Sequence, residues 1–249
     1  MKHTKKWIAA FLTAVLLCGV LPLTAGAASI DITAKFTDPN FLAEVYKATK
    51  KTAPEPIYDT DVSAVTELWM LQKGIQNLAG IEYFTSLQFL NCDANLLGAA
   101  GLPALPSTLT FLTCEANQLT SLPPLPPGLV YLWCSENQLS SLPELPSALE
   151  SLDIGWNQFT SLPPLPPGLK FLFCSNNKLT DLDIAGLSLV ELDVRSNSMS
   201  SQSAIKGSTG GIETLQFEPQ NTHFWSAWPS WLQWVLQYIL FGWLWMRWL

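Results

Sequence analysis

The chain has 249 residues, 48% of them hydrophobic and 13% charged, with a formal net charge of −7. Basic groups are too few to form the positive surface that a phosphate backbone selects, so nucleic acid is not expected as a partner. Length alone allows one large core or a stacked array of small units.

Residues 1–28 begin with Lys2, Lys5 and Lys6, continue through an apolar run that breaks at Leu21-Pro22, and close on Ala25-Gly26-Ala27. Basic, apolar and small-residue segments in that order read as a cleaved signal peptide, with a retained membrane helix as the alternative. Leu17 stands before Cys18 where lipoprotein processing needs a small residue, which argues against a lipid anchor. The expected compartment is therefore extracellular or the cell surface, and fold reasoning starts after Ala28.

Residues 29–64 read as a helical amino-terminal cap. Asp38 supplies a capping carboxylate and Pro39 fits the first helical position, after which Phe41, Leu42 and Val45 mark one face through about Thr49. A second helix start is offered at Asp61.

A repeat dominates residues 65–199. Leu109, Leu129, Leu149, Leu169 and Leu189 are followed three residues later by Leu112, Leu132, Leu152, Leu172 and Leu192. Two residues further on stand Cys114, Cys134, Ile154, Cys174 and Val194, and three beyond those come Asn117, Asn137, Asn157, Asn177 and Asn197. Leu119, Leu139, Phe159, Leu179 and Met199 close the units. Leu87, Leu90, Cys92, Asn95 and Leu97 form an earlier copy, and Val65, Leu68, Met70 and Ile75 a degenerate one in which Lys73 replaces the asparagine.

A strand alternates its faces, so the Leu-x-Cys core of each unit has one face inward and can bury it only against neighbouring units. The expected product is a leucine-rich-repeat solenoid, right-handed, with a parallel sheet on its concave face. The asparagine column is structural in this reading, because a buried amide at a tight turn satisfies backbone groups that otherwise stay unpaired. Between the strands run segments such as Leu122-Pro123-Pro124-Leu125-Pro126-Pro127-Gly128. Proline at that density removes the amide hydrogens a helix needs, so the convex side is expected to be extended or polyproline-like.

Units such as Leu142-Pro143-Glu144-Leu145-Pro146 resemble the short repeats of secreted bacterial effectors of the YopM and IpaH type. The segment with Ile75, Leu78, Ile81, Phe84 and Leu87 is similar to the longer repeats of internalins. The resemblance implies a curved solenoid that holds protein partners on its strand face.

Residues 200–223 are expected to supply a loop rich in serine and glycine, one last strand at Leu215 and Phe217 that Pro219 ends, and a linker. From residue 224 the composition changes. Trp231 and Trp234 precede an apolar run, and Trp243, Trp245 and Trp248 follow it. The expected element is a hydrophobic helix, residues 224–249, with tryptophan girdles roughly 24 Å apart at 1.5 Å per residue. A membrane anchor is the leading reading; an interfacial helix and a tail folded onto the solenoid edge are the others.

Catalysis is not expected. Once the leader is gone, His223 is the only histidine, which removes the usual base from a serine or cysteine triad. Cys92, Cys114, Cys134 and Cys174 share an inward position and have no metal-ligand spacing, so they read as buried free thiols, and no cofactor or metal is implied. In-register parallel neighbours point the same way, which makes bridge geometry awkward.

The outward strand positions remain as candidate contacts: Phe111, Tyr131 and Phe171 with Phe89 in one column, Trp133, Asp153 and Phe173 in the next, and Trp156 on the following turn. Exposed aromatics on a rigid surface bury much area at low entropic cost, as recognition requires. The alternative for the first column is a ladder packing sideways for stability. The functional expectation is a non-enzymatic, surface-displayed module for protein recognition or adhesion; the alternatives are a membrane-active protein inserting its tail and a glycan-binding wall or matrix protein.

Overall fold

The structure is a computed structural model that describes residues 29–220. The leader and the tail with Trp231, Trp234, Trp243, Trp245 and Trp248 lie outside the described residues, and so do the readings placed on them. Among the described residues no helix is long and apolar enough to cross a membrane.

The leucine columns fold into a sheet of eight three-residue strands, all parallel. In chain order they are β1 (Glu67–Trp69), β2 (Phe89–Asn91), β3 (Phe111–Thr113), β4 (Tyr131–Trp133), β5 (Ser151–Asp153), β6 (Phe171–Phe173), β8 (Glu191–Asp193) and β10 (Thr214–Gln216). Register follows the repeat without a slip: Leu68, Leu90, Leu112, Leu132, Leu152, Leu172, Leu192 and Leu215 are successive partners. The middle residue of each strand points into the core, and from β1 to β8 it is buried. A one-residue slip anywhere would turn that leucine to water, which is why so short a strand keeps its register.

Behind the sheet the inward columns make one continuous interior. Leu109, Cys114, Leu119, Leu132, Cys134, Leu152, Ile154 and Phe159 have no exposed surface. The four repeat cysteines are buried and unbridged.

Each asparagine of the column spans two turns. Asn137 donates through Nδ2 to the carbonyls of Cys134, Ser135 and, one repeat back, Cys114, at 3.0–3.1 Å. Its Oδ1 accepts the N–H groups of Asn117 and Leu119. Asn95, Asn117, Asn157, Asn177 and Asn197 make the same donations. The residue before each is held in the left-handed region, with φ between 51° and 55° at Ala94, Ala116, Glu136, Trp156, Asn176 and Ser196. None of these is glycine, so the amide network offsets a conformation that costs roughly 1–2 kcal/mol per residue.

The proline segments are not helical. Pro106, Pro126, Pro146 and Pro166 are buried, and each carbonyl accepts the N–H of the leucine three residues on, at 3.1 Å, in the turn that feeds the next strand. Where the prolines stop, at Leu182-Asp183, the backbone has N–H groups to pair. There β7 (Leu182–Asp183) joins β9 (Ile205–Lys206) in a second, two-stranded parallel sheet. The serine- and glycine-rich segment after residue 200, expected as loop, therefore contains a strand.

Pro219 does not end the ladder as expected. Its carbonyl accepts the Ser196 N–H, and Gln220 stands where the next asparagine belongs. The Gln220 amide donates to the carbonyls of Val194 and Phe217, and its Oε1 accepts the Met199 N–H.

Upstream of β1 lie helices α1 (Pro39–Thr49) and α2 (Asp59–Val62), with Phe41, Val45 and Val62 buried.

Candidate functional site

The outward face of the sheet carries the first and third residue of every strand. In register, the first column reads Glu67, Phe89, Phe111, Tyr131, Ser151, Phe171, Glu191 and Thr214; the third reads Trp69, Asn91, Thr113, Trp133, Asp153, Phe173, Asp193 and Gln216. Parallel strands lie about 4.8 Å apart, so rings at the same position on adjacent strands must stack.

The first-column rings of β2–β4 do so, and Trp69, from the third column of β1, crosses diagonally onto Phe89. Ring centroids are 4.1 Å apart for Trp69 and Phe89, 4.7 Å for Phe89 and Phe111, and 5.2 Å for Phe111 and Tyr131, all stacked within 30° of parallel. Trp133 meets Phe111 edge-on at 4.9 Å. The row is a ladder that still faces water: Trp69 is 62% exposed and Tyr131 37%, while Phe89, Phe111 and Trp133 are partly buried. The ladder and contact readings of the first column are thus compatible.

Phe111, Tyr131 and Trp133 come together in this row; Phe171 and Phe173 do not join it. They lie on β6, beyond Ser151 and Asp153 of β5, and are partly buried. Ser151 is buried and accepts a hydrogen bond from Trp133 Nε1 at 3.2 Å, which fixes the indole. Asp153 is partly buried, and one of its oxygens accepts the Gly155 N–H at 2.9 Å. Trp156 is partly buried on the turn after β5, at φ 53°.

Trp69 escaped sequence reasoning because its repeat lacks the asparagine. The signal that finds it is register, since Leu68 aligns with Leu90 and places a tryptophan at the third position.

A row of polar groups runs beside the rings. Thr113 donates to Asp93 at 2.6 Å, the Glu115 N–H donates to the same oxygen at 2.7 Å, and Ser135 donates to Glu115 Oε1 at 2.8 Å. Burial pushes the Glu115 carboxyl up to about 7; the Ser135 hydroxyl opposes this, while Asp93, Asp153 and Glu136 add to it. Burial likewise raises Asp153 to about 6, against the Gly155 N–H and with Asp193 and Glu136. Buried thiols go the same way, with Cys92, Cys114, Cys134 and Cys174 all raised by desolvation. Thiols so shifted are poor nucleophiles at neutral pH. Among the described residues no group of three His, Cys, Asp or Glu side chains is placed to hold a metal ion.

Both carboxyls titrate higher in the folded chain than in the unfolded one, where about 4 is usual. Between about pH 4 and 7 the folded chain keeps protons that the unfolded chain has released, so stability is greatest at the acid end and falls as pH rises. The melting temperature is expected to be higher at pH 5 than at pH 8. Replacing Glu115→Gln together with Asp153→Asn should flatten that slope in thermal circular dichroism. A slope of the opposite sign, or one the double variant leaves intact, contradicts the assignment.

No protein-family model matches the sequence, and neither does any curated protein. Solved structures do match. YopM from Yersinia enterocolitica WA-314 is 37% identical with a TM-score of 0.54, over 59% of this chain and 31% of that one. YopM from Yersinia pestis, described as a leucine-rich effector protein, is 27% identical with a TM-score of 0.53, over 63% of this chain and 48% of that one.

The chain folds as a leucine-rich-repeat solenoid.

Internalin C2 from Listeria monocytogenes shares the fold at 20% identity and a TM-score of 0.51, over 77% of this chain and 98% of that one. The repeat protein spans less than a third of the length of the first YopM. What it shares with these structures is the parallel solenoid. The aromatic row on β1–β4 of this leucine-rich-repeat protein is described from its own rings.

Proposed function

We propose that this leucine-rich-repeat protein is a non-enzymatic recognition module, displayed outside the cell, that binds a protein partner on the outward face of β1–β4. The observation that carries the reading is the partly exposed row Trp69, Phe89, Phe111, Tyr131 and Trp133. Stacking on the sheet has already fixed these rings, so a partner that covers them gains apolar burial with little further loss of side-chain freedom. The described similarity to a leucine-rich effector protein supports a protein as the partner class, and the basic-apolar-small order of residues 1–28 supports export.

Display at the membrane through the tail, and the outlying contacts Asp153, Trp156, Phe171 and Phe173, belong to the same proposal. Fractionating native cells tests display: the chain is expected in membrane, wall or medium, and a cytoplasmic location overturns that part.

Binding is tested by probing a protein array and a glycan array with the full chain. Discrete protein spots are expected, weakened about tenfold or more by Trp69→Ala with Trp133→Ala, since buried aromatic anchors carry a large share of interface energy. The double variant should keep the circular dichroism of the parent. Binding to glycans alone, or protein binding that the variant leaves unchanged, rules the strand face out.

A further inference from the structure

The chemistry of the partner can be narrowed from the charges around the aromatic row. Across the outward strand positions of β2–β6 and the two outward residues of each following turn stand the carboxylates Asp93, Glu115, Glu136 and Asp153, with no lysine or arginine. The basic residues that flank this stretch are paired with carboxylates: Lys73, in the turn after β1, lies 3.9 Å from Glu44, Lys170, just before β6, 2.9 Å from Glu150, and Arg195, after β8, 2.7 Å from Asp193. The carboxylates follow the rings closely along the chain. Thr113, which holds Asp93, is two residues beyond Phe111 on the same strand, and Ser135, which holds Glu115, is two residues beyond Trp133. Two residues of strand advance about 6.6 Å.

We propose, resting on the strand-face reading above, that the partner docks a polypeptide segment rich in arginine and lysine across β1–β4. The face offers one such side chain two kinds of surface at suitable spacing. Its alkyl stem lies along the ring edges that the stacked ladder leaves to solvent, and its charged head reaches the carboxylate row. Arginine suits the site best, because its planar guanidinium bonds carboxylates through a fork of N–H donors. An arriving cation also offsets the mutual repulsion of Asp93, Glu115, Glu136 and Asp153. A second copy of this chain is the wrong occupant on the same grounds: two such faces would set like charges against each other.

Fluorescence anisotropy of a labelled octa-arginine peptide, titrated with the full chain at about 0.15 M salt, tests this, with octa-glutamate as the control probe. Saturable binding of octa-arginine and none of octa-glutamate is expected. Trp69→Ala with Trp133→Ala, and separately Asp93→Asn with Glu115→Gln, should each raise the dissociation constant about tenfold. Glu144→Gln with Asp181→Asn, which removes two exposed charges outside this face, should leave it within about twofold. The asparagine and glutamine variants keep an acceptor oxygen for Thr113 and Ser135, and the tryptophan pair reports independently if either fails to fold.

No saturable binding of octa-arginine overturns the proposal, as does an equal loss in the control pair, which would make net charge the only cause. Self-association abolished by the tryptophan pair also overturns it. If array partners depend on Trp69 and Trp133 while octa-arginine does not bind, the basic segment is wrong and the strand face stands. If array partners ignore the tryptophans, the strand face itself falls.

Discussion

Asn137→Ala is expected to destabilise the chain by about 4 kcal/mol, near the top of the range for a single substitution. The side chain is 8% exposed and makes five hydrogen bonds to backbone: three donations to the carbonyls of Cys114, Cys134 and Ser135, and two acceptances from Asn117 and Leu119. Removing the amide leaves several of those groups unpaired in the interior, at about 1–3 kcal/mol each where water cannot reach. It also removes what holds Glu136 at φ 54°. Urea unfolding measures the loss. Because a repeat array is coupled only through neighbours, the break between β3 and β5 should also broaden the transition as the two ends unfold apart. Gln138→Ala, one residue along and exposed, should change stability by less than about 0.5 kcal/mol. A loss under about 1 kcal/mol for Asn137→Ala would mean that the column does not hold the turns.

Legibility in the sequence tracked how strictly the period was kept. The leucine, cysteine and asparagine columns repeat every twenty residues, and a strand pattern with that spacing has one economical solution, a parallel stack with Leu132, Cys134 and Leu152 inside. All three are fully buried. Sequence reasoning weakened where the period did. Gln220 extends the amide ladder from a spacing of 23 after Asn197, with a side chain one methylene longer, and a search for asparagine passes over it. The β7–β9 pair arises where Leu182-Asp183-Ile184 replaces the proline segment; restored N–H groups permitted a strand there, but nothing local named residues 205–206 as its partner.

The aromatic row was ambiguous for a different reason. Position assigns Phe111 and Tyr131 to the outward face, yet a ring there can stack on its neighbour, meet a partner, or do both. Only centroid distances and exposure separate these cases. The links from Thr113 to Asp93 and from Ser135 to Glu115 were beyond reach too, since they join variable positions of different repeats.

At the other end of the array, Asp38→Ala is expected to cost about 3 kcal/mol and to act locally. Asp38 is 4% exposed and satisfies two elements at once. Its Oδ1 accepts the N–H groups of Asn40 and Phe41 at 2.9 Å, which caps α1, and its Oδ2 accepts those of Gln76 at 2.7 Å and Asn77 at 3.3 Å, in the turn after β1. Loss of a helix cap alone costs about 1 kcal/mol, and the two further donors left without their acceptor add a similar amount each. Phe41 should loosen with the helix start; it meets Phe36 edge-on at 5.6 Å and packs beside Phe84 at 6.4 Å, so the disturbance enters the core beside the first repeats. Nearest-neighbour coupling then confines it. Hydrogen exchange of the Asp38→Ala variant should quicken at α1, β1 and β2 and stay near parental rates from β5 to β8. Asp38→Asn, which keeps one acceptor oxygen and loses the charge, should fall between the two. Uniform quickening along the whole sheet would show instead that the array unfolds as a single unit, and that one carboxylate at its edge governs all of it.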